Sequence, residues 1–133
     1  MWKPDPADAR PIWKQIGDYV RLLVASGRLA ADTAVPSVRH SAREMGVNPA
    51  TVAKAYQKLV DAGVLEVRRG EGTFVRRLPD AEVNALRNAL LESAAVNFVE
   101  KAATLEIGAD EAQSAIAVAW SRLNLSTTEA END

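Results

Sequence analysis

Apolar residues between positions 52 and 60 fall at Val52, Ala55, Tyr56, Leu59 and Val60, a three-then-four spacing that puts them on one side of an α-helix. Asn48 is placed to cap that helix, Pro49 suits its first position, where a missing N–H costs nothing, and Gly63 ends it. Just upstream, Ser37 to about Met45 forms a compact helix with Ser37 as N-cap behind Pro36. Gly46 can close this helix in a left-handed conformation, with Val47 buried in the corner. Two helices joined by a tight glycine-containing turn make a helix-turn-helix. Further upstream, Ile12, Ile16, Val20 and Leu23 or Val24 share a face, with Trp13 and Tyr19 at its margins, so another helix is expected between Pro11 and Gly27. Residues 1–10, with two prolines and no periodicity, are expected to be a flexible lead-in, and Leu29 to Val35 a loop.

After Gly63 the period shortens to two. Leu65 and Val67 alternate with Glu66 and Arg68, a Gly-Glu-Gly tip follows, and Thr73 to Arg77 is again β-prone. This predicts a short hairpin, which beside a helix-turn-helix is a wing. Its tip is basic, with Arg68 and Arg69 before Gly70. Leu78-Pro79-Asp80 breaks the pattern, and a long helix is expected from about Ala81 to Leu105, without an internal Gly or Pro. It carries two adjacent apolar stripes, one through Val83, Leu86, Leu90, Ala94 and Phe98, the other through Leu91, Ala95, Val99 and Ala102. That is more apolar surface than one neighbouring helix covers. Gly108 marks a turn, and a last helix is expected from about Asp110 to Leu123, with Ala112, Ala115, Ile116, Ala119 and Trp120 on it. The organisation that follows is a winged helix-turn-helix domain over 1–78, a helical module over 79–123 and a disordered acidic tail over 124–133.

The net charge of −2 divides unevenly. Residues 1–78 hold 13 Lys and Arg against 8 Asp and Glu, whereas residues 79–133 hold 3 against 10. A basic front and an acidic rear suggest that the front meets a polyanion. Absence of cysteine excludes disulfides and thiolate metal sites, and the lone His40 excludes a histidine cluster, so no metal or cofactor is expected. No nucleophile–His–acid set and no phosphate-cradling glycine loop occurs, which argues against an enzyme. With neither a signal peptide nor a membrane span in the sequence, a cytoplasmic protein is expected.

A helix that enters the DNA major groove offers short polar or cationic side chains near its N-terminus. Asn48, Ala50, Thr51 and Lys54 are such positions: Thr51 for a base edge or phosphate, Ala50 for a thymine methyl, Lys54 for a phosphate or guanine. Arg39 can project toward the same groove, and Ser37 opens a helix whose first N–H groups can hold a phosphate. Arg68, Arg69 and Gly70 suit a wing tip in the minor groove. Each also has a plainer role, as helix cap, surface ion pair with Asp32 or Glu44, or charged hairpin edge. Phe98 and Trp120 fit a core, a dimer interface or a ligand pocket.

The segments PIWKQI from Pro11, PSVR at Pro36–Arg39, MGVNPATVAKAYQKL at Met45–Leu59 and AGVLEVRRGEGTFV at Ala62–Val75 together resemble the winged-helix domain of GntR-family transcription regulators. The two-helix rear half resembles the YtrA-type subfamily. Pro49 and Ala53 stand where the family often has arginine, Ser41 where a leucine is common, and Ala31-Asp32 in place of a Pro-Gly turn. The resemblance implies a mostly α fold (an α+β winged helix) with a C-terminal two-helix dimerisation module. It implies DNA contacts from Arg39, Asn48, Thr51, Lys54, Arg69 and Gly70, and a homodimeric repressor, often of an ABC-transporter operon and its own gene. The expected partners are double-stranded DNA, as a palindromic operator, and a second copy of the chain held through Leu86, Leu90, Leu91, Phe98 and Trp120. Two alternatives stand beside this: a regulator with a small effector between the rear helices, and a winged helix that docks another protein.

Overall fold

The computed structural model of the chain describes residues 2–125. Its elements are α1 (Ile12–Ala25), α2 (Val38–Met45), α3 (Pro49–Asp61), β1 (Leu65–Arg68), β2 (Gly72–Val75), α4 (Asp80–Thr104) and α5 (Ala109–Arg122). The capping residues act where the sequence places them. Ser37 accepts a hydrogen bond from the His40 N–H at 3.1 Å, and Asn48 accepts one from the Ala50 N–H at 2.8 Å. Gly46 closes α2 with φ of 69°, so the turn into α3 takes only Gly46, Val47 and Asn48.

Helix α3 is the centre of the winged unit. Val52, Ala55 and Leu59 on it are completely inaccessible to solvent, and α3 touches α1, α2 and β1. Ile16 and Val20 of α1, Ala42 of α2, and Leu65 and Val75 of the hairpin complete the core. Two hydrogen bonds of Tyr56 lie among them. Tyr56 donates from Oη to the Pro36 carbonyl at 2.8 Å and lies 2.8 Å from Ser41 Oγ, which joins α3 to both the start and the middle of the preceding helix. Burial holds the Tyr56 phenol above its ordinary pKa, partly offset by the Ser41 hydrogen bond.

The hairpin is antiparallel, pairing Leu65 with Val75 and Arg68 with Gly72. Leu65 and Val75 are buried at its base, while Val67, on the same side as Leu65, is 64% exposed. The hairpin therefore outruns the core and projects from it. The segment expected as a loop is a loop without a strand of its own, but it is tied to β2. Ala34 bridges Phe74, and Val35 N–H and Val75 N–H bond the Thr73 and Thr33 carbonyls at 2.9 Å each. This strap fills the otherwise open edge of β2.

Residues 1–10 were expected to be flexible, and the described part is instead docked on α1. Gln15 is buried, and its carboxamide accepts from the Asp5 N–H at 2.8 Å and donates to the Asp5 and Arg10 carbonyls at 3.0 Å each. Trp2 stacks on Tyr19 with ring centroids 4.3 Å apart. A buried amide needs its hydrogen bonds, and the lead-in backbone supplies them.

The chain divides into two compact units, the first ending at Leu91 and the second beginning at Glu92. The first runs past the Leu78 boundary expected above, because Leu78 and Leu86 pack against the winged core. In the second, α5 buries none of its residues, and Val96, Val99, Ile116 and Trp120 are all exposed. The tail expected over 124–133 lies outside the described residues from position 126 on. Among the described residues no helix is long and apolar enough to cross a membrane.

Removing the Tyr56 hydroxyl tests how the helix-turn-helix is held. Tyr56→Phe should lower the unfolding free energy by about 1 kcal/mol in a urea titration, and an unchanged midpoint would mean that the hydroxyl stabilises nothing.

Candidate nucleic-acid interface

The start of α2 presents backbone N–H groups that have no acceptor within the helix, and the helix dipole favours an anion there. Ser37 and Arg39 at this end are exposed. Neither carboxylate that could have neutralised Arg39 is paired with it. Asp32 is bound by Arg68 and Arg77, and Glu44 lies 3.8 Å from His40. Among the described residues Arg39 makes no ion pair, so its guanidinium remains available to a phosphate or a guanine edge.

On α3, Asn48, Ala50 and Lys54 are exposed and Thr51 is half-buried. Pro49 at the first helical position presents no N–H, and Val52 and Ala55 turn inward. The outer face thus carries few long side chains near its N-terminus. Lys54 is not simply extended into solvent, since its ammonium sits 4.8 Å from the Trp13 ring centre. Lys58, one turn later, lies 5.6 Å from the same ring.

The wing divides its two arginines. Arg68, expected at the tip, is held down: Nη2 lies 2.9 Å from Asp32, Nε 3.3 Å from Glu66, and the guanidinium covers the Phe74 ring at 4.2 Å. Arg69 and Gly70 are exposed at the turn itself, where Gly70 takes a φ of 76° and the Glu71 N–H bonds the Arg68 carbonyl. Arg69 makes no ion pair among the described residues, so the tip offers Arg69 and a side-chain-free backbone at Gly70. Asp32 is the pivot of the arrangement. Hydrogen bonds from Arg77 and from Arg68 hold its carboxyl below the usual carboxylate range. Its own backbone is left-handed, with φ of 66°.

Two further cations belong to this surface, Arg43 and Lys58, both exposed. The signal for them was the i,i+4 spacing of Arg39 with Arg43 and of Lys54 with Lys58. Like charges at that spacing weaken a helix unless something negative meets them. Among the described residues no cluster of His, Cys, Asp and Glu is placed to hold a metal ion.

Comparison with known proteins shows the family. The family described as "Bacterial regulatory proteins, gntR family" matches residues 13–75. The HTH-type transcriptional repressor YtrA of Bacillus subtilis is 38% identical over 75 residues, covering 56% of this chain and 58% of that protein. The solved structure of YtrA from Sulfolobus acidocaldarius, a GntR-family transcription factor, is 32% identical with a TM-score of 0.55, covering 92% of this chain and 99% of that one. The DNA-binding domain of AraR in complex with operator ORX1 is 26% identical with a TM-score of 0.50, over 56% of this chain and 92% of that one.

Two substitutions separate the free arginines from the bound ones. Arg39→Ala should weaken specific DNA binding by about 1–3 kcal/mol, measured by fluorescence anisotropy on the protein's own promoter; equal affinities would remove Arg39 from the interface. Asp32→Asn should release Arg68 and Arg77 toward phosphates and steepen the fall of binding with salt, by up to about 0.9 in the log–log slope per added phosphate contact. An unaltered slope would show that the two arginines stay off the DNA.

Proposed function

Because the chain belongs to the gntR family of bacterial regulatory proteins, with relatives of YtrA type that are transcription regulators rather than enzymes, we propose that it is a homodimeric repressor of a palindromic operator. The observation that carries the DNA reading is that, among the described residues, Arg39 and Arg69 have no carboxylate partner while neighbouring arginines are neutralised. In this reading α3 enters the major groove and presents Asn48, Ala50, Thr51 and Lys54. The start of α2 grips a phosphate through Ser37 and its N–H groups, and Arg69 with Gly70 follows the minor groove. Discrimination between sequences then rests on a few side chains, Arg39 first, and on the width of the minor groove under Arg69.

The dimer is assigned to α4 and α5. Leu91 and Val99 of α4 are 71% and 59% exposed, and Ile116, Val118 and Trp120 of α5 are also open to solvent. Scattered exposed leucines need no explanation, but apolar residues recurring along both helices are what a second copy would cover. Leu90 and Phe98 are half-buried and belong to the same assignment, whereas Leu86 also serves the winged core. A two-fold dimer places its half-sites about one helical turn apart, or a multiple of it. The resemblance to YtrA-type regulators extends the proposal to the genes controlled, an ABC-transporter operon that includes the protein's own gene.

The direct test is a footprint upstream of that gene, which should protect two inverted half-sites; a single unpaired site or no protection argues for another partner. For the dimer, Leu91→Asp changes an exposed residue and should leave the monomer folded. Sedimentation should then give a species of half the wild-type mass, and a persistent dimer would move the interface elsewhere.

A further inference from the structure

A cavity of about 180 Å³ lies between the N-terminal segment, α1 and α2 of the winged unit. Trp2, Ile16, Val20, Leu29 and Met45 give it apolar walls. Close-packed interiors leave few voids larger than a water molecule. This one opens to solvent on one side, and its outer wall is built: the Gln15 carboxamide fastens the lead-in backbone, and Trp2 stacks on Tyr19, both of which line the space.

We propose that the cavity binds a small, neutral, planar aromatic molecule with one O–H or N–H donor, of the size of phenol or indole, and that occupancy lowers affinity for the operator. The volume fits: an apolar cavity of about 150 Å³ suffices for benzene. Its chemistry selects the donor. Ser41 Oγ and Tyr56 Oη both line the cavity, 2.8 Å apart, and Tyr56 donates its only proton to the Pro36 carbonyl. Ser41 must therefore donate to Tyr56, and what remains on both oxygens is acceptor capacity. A ligand that brings a proton is met there, and one that brings only acceptors is not. The Glu44 side chain on the lining disfavours a carboxylate, and the apolar walls disfavour any charged group.

Coupling to DNA follows from which helix forms the wall. Ser41, Glu44 and Met45 line the cavity from α2, and the same eight-residue helix begins with Ser37 as its cap and carries Arg39 in its first turn. In this proposal the bound ring favours one position of this short helix over the position that operator contact requires, and so acts on Arg39 and the phosphate-facing N–H groups. A ligand shifts an equilibrium only by its differential affinity for the two states, and couplings of this kind are about 5- to 150-fold.

The regulatory half of this inference rests on the DNA-binding reading above, whereas ligand binding is measured without DNA, so the two can fail separately. The full chain is titrated with indole and with phenol by calorimetry, for wild type and for Ser41→Leu, whose side chain fills the cavity. Saturable one-to-one binding that Ser41→Leu abolishes supports the site; no binding up to the solubility limit, or binding indifferent to Ser41→Leu, overturns it. Should Ser41→Leu fail to fold, Trp2→Ala replaces it, removing one wall at the surface, and an unchanged affinity in that variant overturns the site equally. Saturating indole should then weaken binding to the protein's own promoter at least about fivefold in wild type and not in the filled variant. An operator affinity unaffected by bound indole would overturn the coupling.

Discussion

The structure depends on the buried stripe of α3. Val52, Ala55 and Leu59 have no solvent exposure, and α1, α2 and β1 all pack against their helix. An apolar stripe of this kind fixes the rotation of the helix about its axis, because any other rotation would expose it to water. Fixing the rotation fixes which residues face outward. Tyr56 adds direction to what is otherwise a non-directional force, since its hydroxyl accepts only the arrangement in which Pro36 and Ser41 are both in reach. The positions of Asn48, Ala50 and Lys54 on the outside are thus a consequence of the core and not of the contacts they make.

Much of this was legible in the chain. Element boundaries at Ser37, Gly46, Asn48 and Pro49 were readable because each uses a local rule, a cap or a φ value, that needs no knowledge of distant residues. The α4 and α5 ranges were close to expectation because Pro79 and Gly108 interrupt the periodic pattern on either side of α4. What escaped was what depends on long-range pairing. Nothing in LAADTAV says that Val35 will meet Thr73, and nothing in a proline-containing lead-in says that a glutamine ten residues on will bind its backbone. The fate of Arg68 was hidden likewise. It is one of a pair of adjacent arginines in sequence, and only Asp32, 36 residues away, distinguishes it from its neighbour. Charge counts treat the two alike; geometry does not.

The site that emerges is narrower than the sequence suggested. Pro49 and Ala53 leave helix α3 with short side chains, Lys54 is drawn over Trp13, and Arg68 is tied to the wing base. In the proposed DNA complex, what remains for direct contact is a set of three places: the start of α2 with Arg39, the first turn of α3, and the hairpin tip at Arg69. Each is carried by an element whose position the core determines, which is how a small interface can still be well positioned.

The paired arginines also bear on how fast a polyanion is found. Of the 13 basic residues among the first 78, Arg10, Arg21, Arg68, Arg76 and Arg77 sit within 4 Å of a carboxylate. At a distance beyond the roughly 8–10 Å over which salt screens charge, such pairs look neutral. An approaching duplex therefore senses a field concentrated on the cations left over, among them Arg39, Arg43, Lys58 and Arg69. Encounters are oriented before contact begins, and association is steered by where Asp32 has subtracted charge as much as by where arginine has added it.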